Sequence, residues 1–331
     1  DVYKRLVQDG PTRIAAPMIR KSWLDHGPGA ATENRGAEPF VEVSWEEAER
    51  LVGDELNRVR KEFGNKAIYA GSYGWASAGR FHHAQSHLRR FLNCIGGFTS
   101  SVFTYSFAAA EAMVPHILGS YRAYLDTCTS WDSIIENTQL FVAFGGVPLK
   151  NGQIAQGGTG HHIQRENVIA AKEAGIEFVN ISPLRSDVLE SVNGEWLAAR
   201  PNTDAAILLG IAHTLYSEGL HDEAFLERYT HGFEKFVPYL TGQSDGVPRT
   251  ADWAAKICEL PAETIRDLAR RMAAKRTMIS VSWSLTRQDH GEQAFWAAIT
   301  VACMLGQIGL PGGGFGFGYS AVNNIGGRSP R

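Results

Sequence analysis

The chain has 331 residues, 44% hydrophobic and 20% charged, with a formal net charge of −3. That is a globular composition with room for about two domains, and the weak negative balance gives no electrostatic reason to expect nucleic acid or an anionic membrane as partner. No apolar run approaches the ~18–20 residues of a membrane helix.

Residues 1–40 are punctuated by Pro and Gly, with Gly27-Pro28-Gly29 near the middle, and read as irregular lead-in. A short alternating strand comes next at Phe40–Ser44, and Ser44 with Glu47 forms a capping box that opens an amphipathic helix to about Phe63. Ala67–Ala70 is apolar and β-prone and runs into the glycine-rich stretch Gly71–Gly79. A strand, a glycine loop and then a helix is where a ligand approaches backbone closely. The next helix, Arg80 to about Ile95, carries His83 and His87 four residues apart. With no third ligand nearby they read as a solvated face.

The stretch Thr104–Glu111 places Ser106 just before an alanine-rich helical run that continues to about Leu118. Two readings of the serine stand side by side. Its oxygen can cap the helix by accepting from an unpaired amide, or, held at the positive end of the helix, it can bind a metal as an alkoxide. The four cysteines, Cys94, Cys128, Cys258 and Cys303, are scattered without a C-x-x-C pair. Local spacing therefore builds neither a zinc site nor an iron–sulfur cluster in these residues, and the thiols read as small buried hydrophobes.

From about Asp126 strands and helices alternate. Strands are predicted at Gln139–Phe144, Ile176–Ile181, Glu195–Ala199 and Thr277–Ser282. Helices are predicted at about His162–Ala174, Asp204–Ser217, Ala251–Glu259, Ala262–Ala274 and Glu292–Gly306. Strands separated by helices imply an α/β fold with a doubly wound, mostly parallel sheet. The segment just past each strand is chemically loaded: Gly145-Gly146 with Lys150 and Asn151; Ser182-Pro183-Leu184-Arg185-Ser186-Asp187; Arg200-Pro201-Asn202-Thr203-Asp204; and Trp283-Ser284-Leu285-Thr286-Arg287. In an open parallel sheet these tips lie along one edge, and their cations, hydroxyls and acid suit a nucleotide with a pyrophosphate. Turn chemistry alone explains any one of them. The nicotinamide fingerprint G-x-G-x-x-G is absent, and the run Gly312–Gly316 comes after a helix, which makes it a weak phosphate loop.

Many short strings occur together in order. They include Gly71-Ser72-Tyr73-Gly74-Trp75, Tyr105-Ser106, Val114-Pro115-His116, Thr129-Ser130-Trp131, Glu136-Asn137-Thr138, Pro201-Asn202-Thr203-Asp204, Gly242-Gln243-Ser244-Asp245-Gly246 and Gly306-Gln307-Ile308-Gly309-Leu310-Pro311-Gly312. In these the chain resembles, nearly end to end, the S- and N-oxide reductase branch of the molybdopterin enzymes: the dimethyl sulfoxide, trimethylamine N-oxide and biotin sulfoxide reductases. The resemblance implies molybdenum held between two molybdopterin guanine dinucleotides, with Ser106 as the metal's protein ligand. It implies that Tyr73 and Trp75 donate hydrogen bonds to the transferred oxygen, and tyrosine at position 73 favours a sulfoxide. It places Trp75, Ser77, Lys150, Asn151, Ser182, Pro183, Arg185, Asn202, Thr203, Asp204, Trp283, Ser284 and Arg287 around a pterin dinucleotide.

The implied reaction is oxygen-atom transfer from R₂S=O or R₃N=O, with two electrons and two protons then releasing water. The cofactor does the redox work and the protein supplies ligation and electrostatics. The implied partners are a small oxide substrate and an electron donor, cytochrome-type among the options. Many relatives are periplasmic, whereas biotin sulfoxide reductases stay cytoplasmic. The implied organisation is a lead-in tail at 1–16, a partial α/β domain at 17–113 carrying the metal ligand, and a Rossmann-like dinucleotide domain at 114–331. This is about the first half of the family's length, and both ends read as cuts. Thr104, Phe107 and Val147 depart from the family pattern, at positions where an acid, a small polar residue and an acid are usual. Two other readings remain at this point: a nicotinamide- or flavin-dependent Rossmann enzyme, and a non-catalytic fragment.

Overall fold

A computed structural model describes residues 10–79, 81–158, 160–319, 321–323 and 325–327. The first nine residues of the expected lead-in, the expected helix start at Arg80 and the last residues of the terminal loop lie outside these. The chain divides into two compact units, residues 1–72 with 85–101 and residues 73–84 with 102–331. The division thus falls before residue 113, and the Ser106 stretch belongs to the second unit, where the helix after it packs into the sheet's core.

In the first unit a two-stranded antiparallel ribbon pairs β1 (Met18–Arg20) with β2 (Phe40–Glu42), Ile19 opposite Val41. The lead-in is therefore partly ordered, and the short helix α1 (Lys21–His26) starts directly after β1. Glu38 ties this segment down, accepting from the Ser22 amide at 2.8 Å and hydroxyl at 2.7 Å while pairing with Arg20 at 3.0 Å. Those bonds hold its carboxyl below the usual range. Helix α2 (Trp45–Phe63) starts as expected, with the Ser44 hydroxyl accepting from the Glu47 amide at 3.1 Å. The reciprocal half of the box is not made, because the Glu47 carboxylate is taken by Arg50 at 2.7 Å. The strand expected at Ala67–Ala70 reduces to a 3₁₀ turn over Asn65–Ala67 and a single parallel bridge from Tyr69 to Thr99. Helix α3 spans Ala84–Cys94.

The second unit holds a five-stranded, wholly parallel sheet in the order β5-β4-β3-β6-β7. Its strands are β3 (Leu140–Phe144), β4 (Glu177–Ile181), β5 (Glu195–Leu197), β6 (Thr277–Val281) and β7 (Gly314–Phe317). Successive side chains of a strand point to opposite faces. Accordingly Leu140, Val142 and Phe144 enter one core and Phe141 and Ala143 another. The first core is covered by α4 (Ala108–Leu118), α8 (Asp204–Ser217), α11 (Ala251–Cys258), α12 (Ala262–Ala274) and α13 (Glu292–Met304); the second by α6 (Trp131–Asn137) and α7 (Gln164–Glu173). Helices on both faces explain why every residue of β3 and β6 is buried. Three shorter helices complete the unit: α5 (Tyr121–Asp126), α9 (Glu223–Tyr229) and α10 (Phe233–Leu240).

Strand β7 corrects the sequence reading of Gly312–Gly316 as a loop. It pairs with β6, Phe315 opposite Ile279, and its glycines fit beneath neighbours. A Cβ at Gly316 would come within 2.6 Å of the Tyr319 ring and 2.8 Å of Met278. Glycine is thus a packing requirement here, which conceals the strand from propensity.

Candidate functional site

In a parallel sheet all strand tips face one edge. From β3 the chain winds outward through β4 to β5, then returns to the other side of β3 for β6 and β7. The reversal point lies between β3 and β6, where a crevice opens in doubly wound sheets. Three tips are locked together there. Gly145 has φ 80°, and a Cβ on it would stand 2.6 Å from Ser282 Cβ and 2.7 Å from the Leu285 side chain. Gly146 has φ 73° and touches the Asp187 backbone, and the Val147 amide donates to the Asp187 carbonyl at 2.7 Å. Val147 is fully buried, so its apolar side chain serves the second core.

The side chains predicted along this edge take distinct places. Lys150 pairs with Asp187 at 3.3 Å while remaining largely exposed, and the other Asp187 oxygen accepts from the buried Ser182 hydroxyl at 2.6 Å. Two groups expected to meet a ligand are therefore tied to one another through an acid. Asn151, Pro183 and Arg185 are exposed around them. At the next tip Asn202 has φ 66°, a left-handed conformation that asparagine tolerates. The Thr203 hydroxyl donates to the Arg200 carbonyl at 2.6 Å, and Asp204 opens α8. Burial pushes the Asp204 carboxyl up to about 6. At the β6 tip the exposed Ser284 hydroxyl lies 2.9 Å from Ser282 Oγ. The Trp283 indole N–H is buried with no partner among the described residues, against Gly318 of the β7 tip, where a Cβ would come within 2.6 Å of that nitrogen. A buried donor without an acceptor is costly, and this one lies at the sheet edge that a ligand would line.

The Ser106 turn rests on the same tip. The Ser106 carbonyl accepts from Arg287 Nε at 3.0 Å and lies 3.5 Å from the Thr286 hydroxyl, and the Phe107 ring packs on Trp283 with centroids 4.1 Å apart. Phe107 also stacks on Tyr121 at 5.5 Å, so this departure from the small polar residue is a half-buried anchor packed against the first core. Serine is not the helix cap. Phe107 occupies the cap position of α4 without a side-chain bond, and among the described residues the half-buried Ser106 hydroxyl has no hydrogen-bond partner. The amide of Thr104 is satisfied instead by the Glu111 carboxylate at 2.8 Å.

Tyr73, Trp75 and Ser77 belong to the same unit. Tyr73 is 70% exposed, whereas Trp75 is half-buried against the second core. The Ser77 amide donates to the Gly74 carbonyl at 2.9 Å, and the Trp75 carbonyl accepts from Gly157 at 2.8 Å. Gly158 backs this loop so closely that a Cβ would meet the Ala76 carbonyl at 2.3 Å. Among the described residues no group of three or more His, Cys, Asp or Glu side chains is placed to hold a metal. Cys94, Cys128, Cys258 and Cys303 are free thiols; contrary to the expectation of buried thiols Cys94 is exposed, Cys258 is buried, and partial burial pushes Cys128 and Cys303 up to about 11.

Sequence reasoning did not single out Glu111, Thr286 or Gly318. Thr286 lay in a tip read as chemically loaded, but its contact with Ser106, like that of Gly318 with Trp283, joins residues far apart in the chain and has no local signal. Glu111 did carry a signal, since an acid in the first turn of a helix is placed to meet free amides.

A five-stranded parallel sheet with a glycine-lined reversal point, polar strand tips and a serine turn docked on one of them defines a doubly wound α/β protein. The molybdopterin oxidoreductase family matches residues 13–328, and the chain belongs to that family. It is 47% identical over 313 residues to the dimethyl sulfoxide/trimethylamine N-oxide reductase of Cereibacter sphaeroides, covering 95% of this chain and 38% of that protein. It is 45% identical to the biotin sulfoxide reductase of the same organism, over 96% of this chain and 43% of the relative, and 44% identical to the trimethylamine-N-oxide reductase of Haemophilus influenzae, over 94% and 38%. The chain thus spans about 40% of the length of these relatives. Among solved structures, the acetylene hydratase of Pelobacter acetylenicus superposes with a TM-score of 0.54 at 20% identity, over 92% of this chain and 37% of that one, a likeness of fold.

Proposed function

We propose that the full-length protein is a molybdenum-dependent reductase of S-oxides or N-oxides, a sulfoxide being favoured, and that the described strand tips hold one pterin guanine dinucleotide. The observation that carries this reading is the Ser106 turn. It is docked on the β6 tip through its carbonyl, and among the described residues its hydroxyl has no protein partner. The residues fit such a cofactor in three respects. Trp283 offers a buried donor at the sheet edge that is unpaired among the described residues. Glycines at the tips of β3 and β7 keep backbone open where side chains would collide. The Ser106 oxygen is a hard ligand, suited to a high-valent ion.

In this reading Ser106 Oγ is the molybdenum's protein ligand, and the remaining ligands come from the pterins. The cations Lys150 and Arg185, with Ser182, Pro183, Asn151 and Ser77, would hold the phosphate end of the dinucleotide, Asn202, Thr203 and Asp204 its base end, and Trp283, Ser284 and Arg287 would flank it at the β6 tip. When bound, the metal supplies two-electron chemistry that accepts the oxygen atom of the substrate. The Tyr73 hydroxyl donates to that oxygen as negative charge gathers on it, the logic of an oxyanion donor. The Trp75 indole can only donate, and so favours the same oxygen. Two pterin dinucleotides, a cytochrome-type electron donor and a periplasmic location complete the proposal, on the resemblance that the sequence motifs carry. No helix of the described residues is long and apolar enough to cross a membrane.

The test is the full-length protein assayed with dimethyl sulfoxide, biotin sulfoxide and trimethylamine N-oxide, using reduced viologen as donor, alongside metal analysis. Molybdenum near one atom per chain with viologen oxidation by any of the three supports the reading. Pure protein that carries flavin or nicotinamide in place of molybdenum overturns it.

A further inference from the structure

We infer that Glu111 and Arg287 are positioning residues that shape the Tyr105–Ser106 turn from the protein's own contacts, before a cofactor is present. This rests on the reading of Ser106 as metal ligand. Four features define the turn. Phe103 enters it with φ 66°, a left-handed backbone that a bulky residue holds only when its surroundings impose it. The next amide, that of Thr104, donates to Glu111 Oε2 at 2.8 Å. Two residues on, the Ser106 carbonyl accepts from Arg287 Nε at 3.0 Å. Phe107 is then clamped between Trp283 and Tyr121 at 4.1 and 5.5 Å. Between the two charged anchors Tyr105 is 92% exposed, so its side chain contributes little to holding the turn.

Both anchors involve an ionised group on a backbone amide or carbonyl, and such bonds are stronger and more directional than neutral ones. They come from different elements. Glu111 lies in the first turn of α4, where the helix dipole favours a carboxylate. Arg287 comes directly after the 3₁₀ turn Trp283–Thr286 beyond β6. Their joint effect is to fix the backbone on both sides of Ser106 while bonding neither to its hydroxyl. A serine so held presents its oxygen in one orientation, and the ordering cost of ligation is met in folding. Arg287 uses Nε for this, which leaves its other N–H groups free for a cofactor oxygen.

The experiment uses the full-length protein. Hydrogen–deuterium exchange is followed in metal-free protein for the peptide spanning 103–107, in wild type, Glu111→Ala, Glu111→Gln, Arg287→Ala and Ser106→Ala. The Mo(V) electron paramagnetic resonance signal and molybdenum content are then recorded on loaded protein. We expect Glu111→Ala and Arg287→Ala to speed exchange of this peptide by about tenfold or more, while exchange elsewhere stays at wild-type rates. Glu111→Gln, whose amide oxygen still accepts, should restore it to within about twofold. In loaded protein both alanine variants should broaden or split the Mo(V) signal, Glu111→Ala with molybdenum retained, and Glu111→Gln should leave the signal as in wild type. Wild-type exchange and an unaltered signal in both alanine variants overturn the inference, as does a rise in exchange spread over the whole protein. Failure of the ligand reading looks different: Ser106→Ala then leaves the Mo(V) signal and metal content unchanged, whatever the exchange of the turn.

Discussion

Helices α2 and α8 are both long, 19 and 14 residues, yet α2 buries none of its residues and α8 buries eight. Helix α2 is laced on its surface by ion pairs at helical spacing, Arg50 with Glu47 and Asp54, and Arg58 with Glu55 and Glu62. Helix α8 packs Ile207, Leu208, Ile211 and Leu215 into the core above the sheet. The contrast extends to their units. Among the described residues of the first unit only Ile68 and Leu92 are buried apolar side chains, whereas the second holds two aromatic-rich cores on either face of β3 and β6. A surface ion pair contributes little, while a buried ring contributes several-fold more. Precision at a site needs rigid support, and the predicted site residues all fall in the second unit.

The sharpest way to break this comparison is Phe141→Ala. Phe141 is fully buried and packs on Trp131, Phe178 and Tyr319, so its loss should cost ~3–5 kcal/mol in urea unfolding of the full-length protein. Gly146→Ala comes next. At φ 73° and against the Asp187 backbone, an alanine should cost more than ~1 kcal/mol and should displace the Asp187–Ser182 contact. A loss under ~0.5 kcal/mol would mean that the tips are not locked.

Asp204 gives a pH signature of the same unit. Burial raises its folded pKa from 3.8 to about 6, so the folded state holds a proton that the unfolded chain releases. Stability from this group is fully present below pH 3.8 and is lost as pH rises through 6, by up to ~1.4 kcal/mol per pH unit inside that window. Asp204→Asn should remove the dependence in cofactor-free protein. The smallest effect belongs to the first unit: Arg58→Ala, which breaks two surface pairs of α2, should change stability by no more than ~0.5 kcal/mol and less at high salt. A loss of ~2 kcal/mol there would show that α2 depends on these charges far more than its exposure implies.

Much of the second unit was legible in the chain. Buried strands flanked by helices carry their own period and length, and α8 and α12 begin and end at the predicted residues. Illegible were the features set by tertiary contact. Strand β7 is glycine-rich because Tyr319 and Met278 occupy the space of its side chains. The cap of α4 is Phe107, since its ring is drawn into the core and Ser106 is left outside the helix. The strand expected at 67–70 found a partner only at Thr99. At the site, residue types at the strand tips could be read from sequence. That Lys150 meets Asp187 could not, because that contact joins two different strand tips.

The central claim, that the docked serine turn brings Ser106 to molybdenum, is tested most directly by Ser106→Ala in the full-length protein, with molybdenum content and the Mo(V) resonance measured beside oxide reduction. The account predicts loss of the wild-type resonance and a fall in turnover of at least about tenfold, with unfolding by urea unchanged. Wild-type resonance, metal content and turnover in that variant would contradict it.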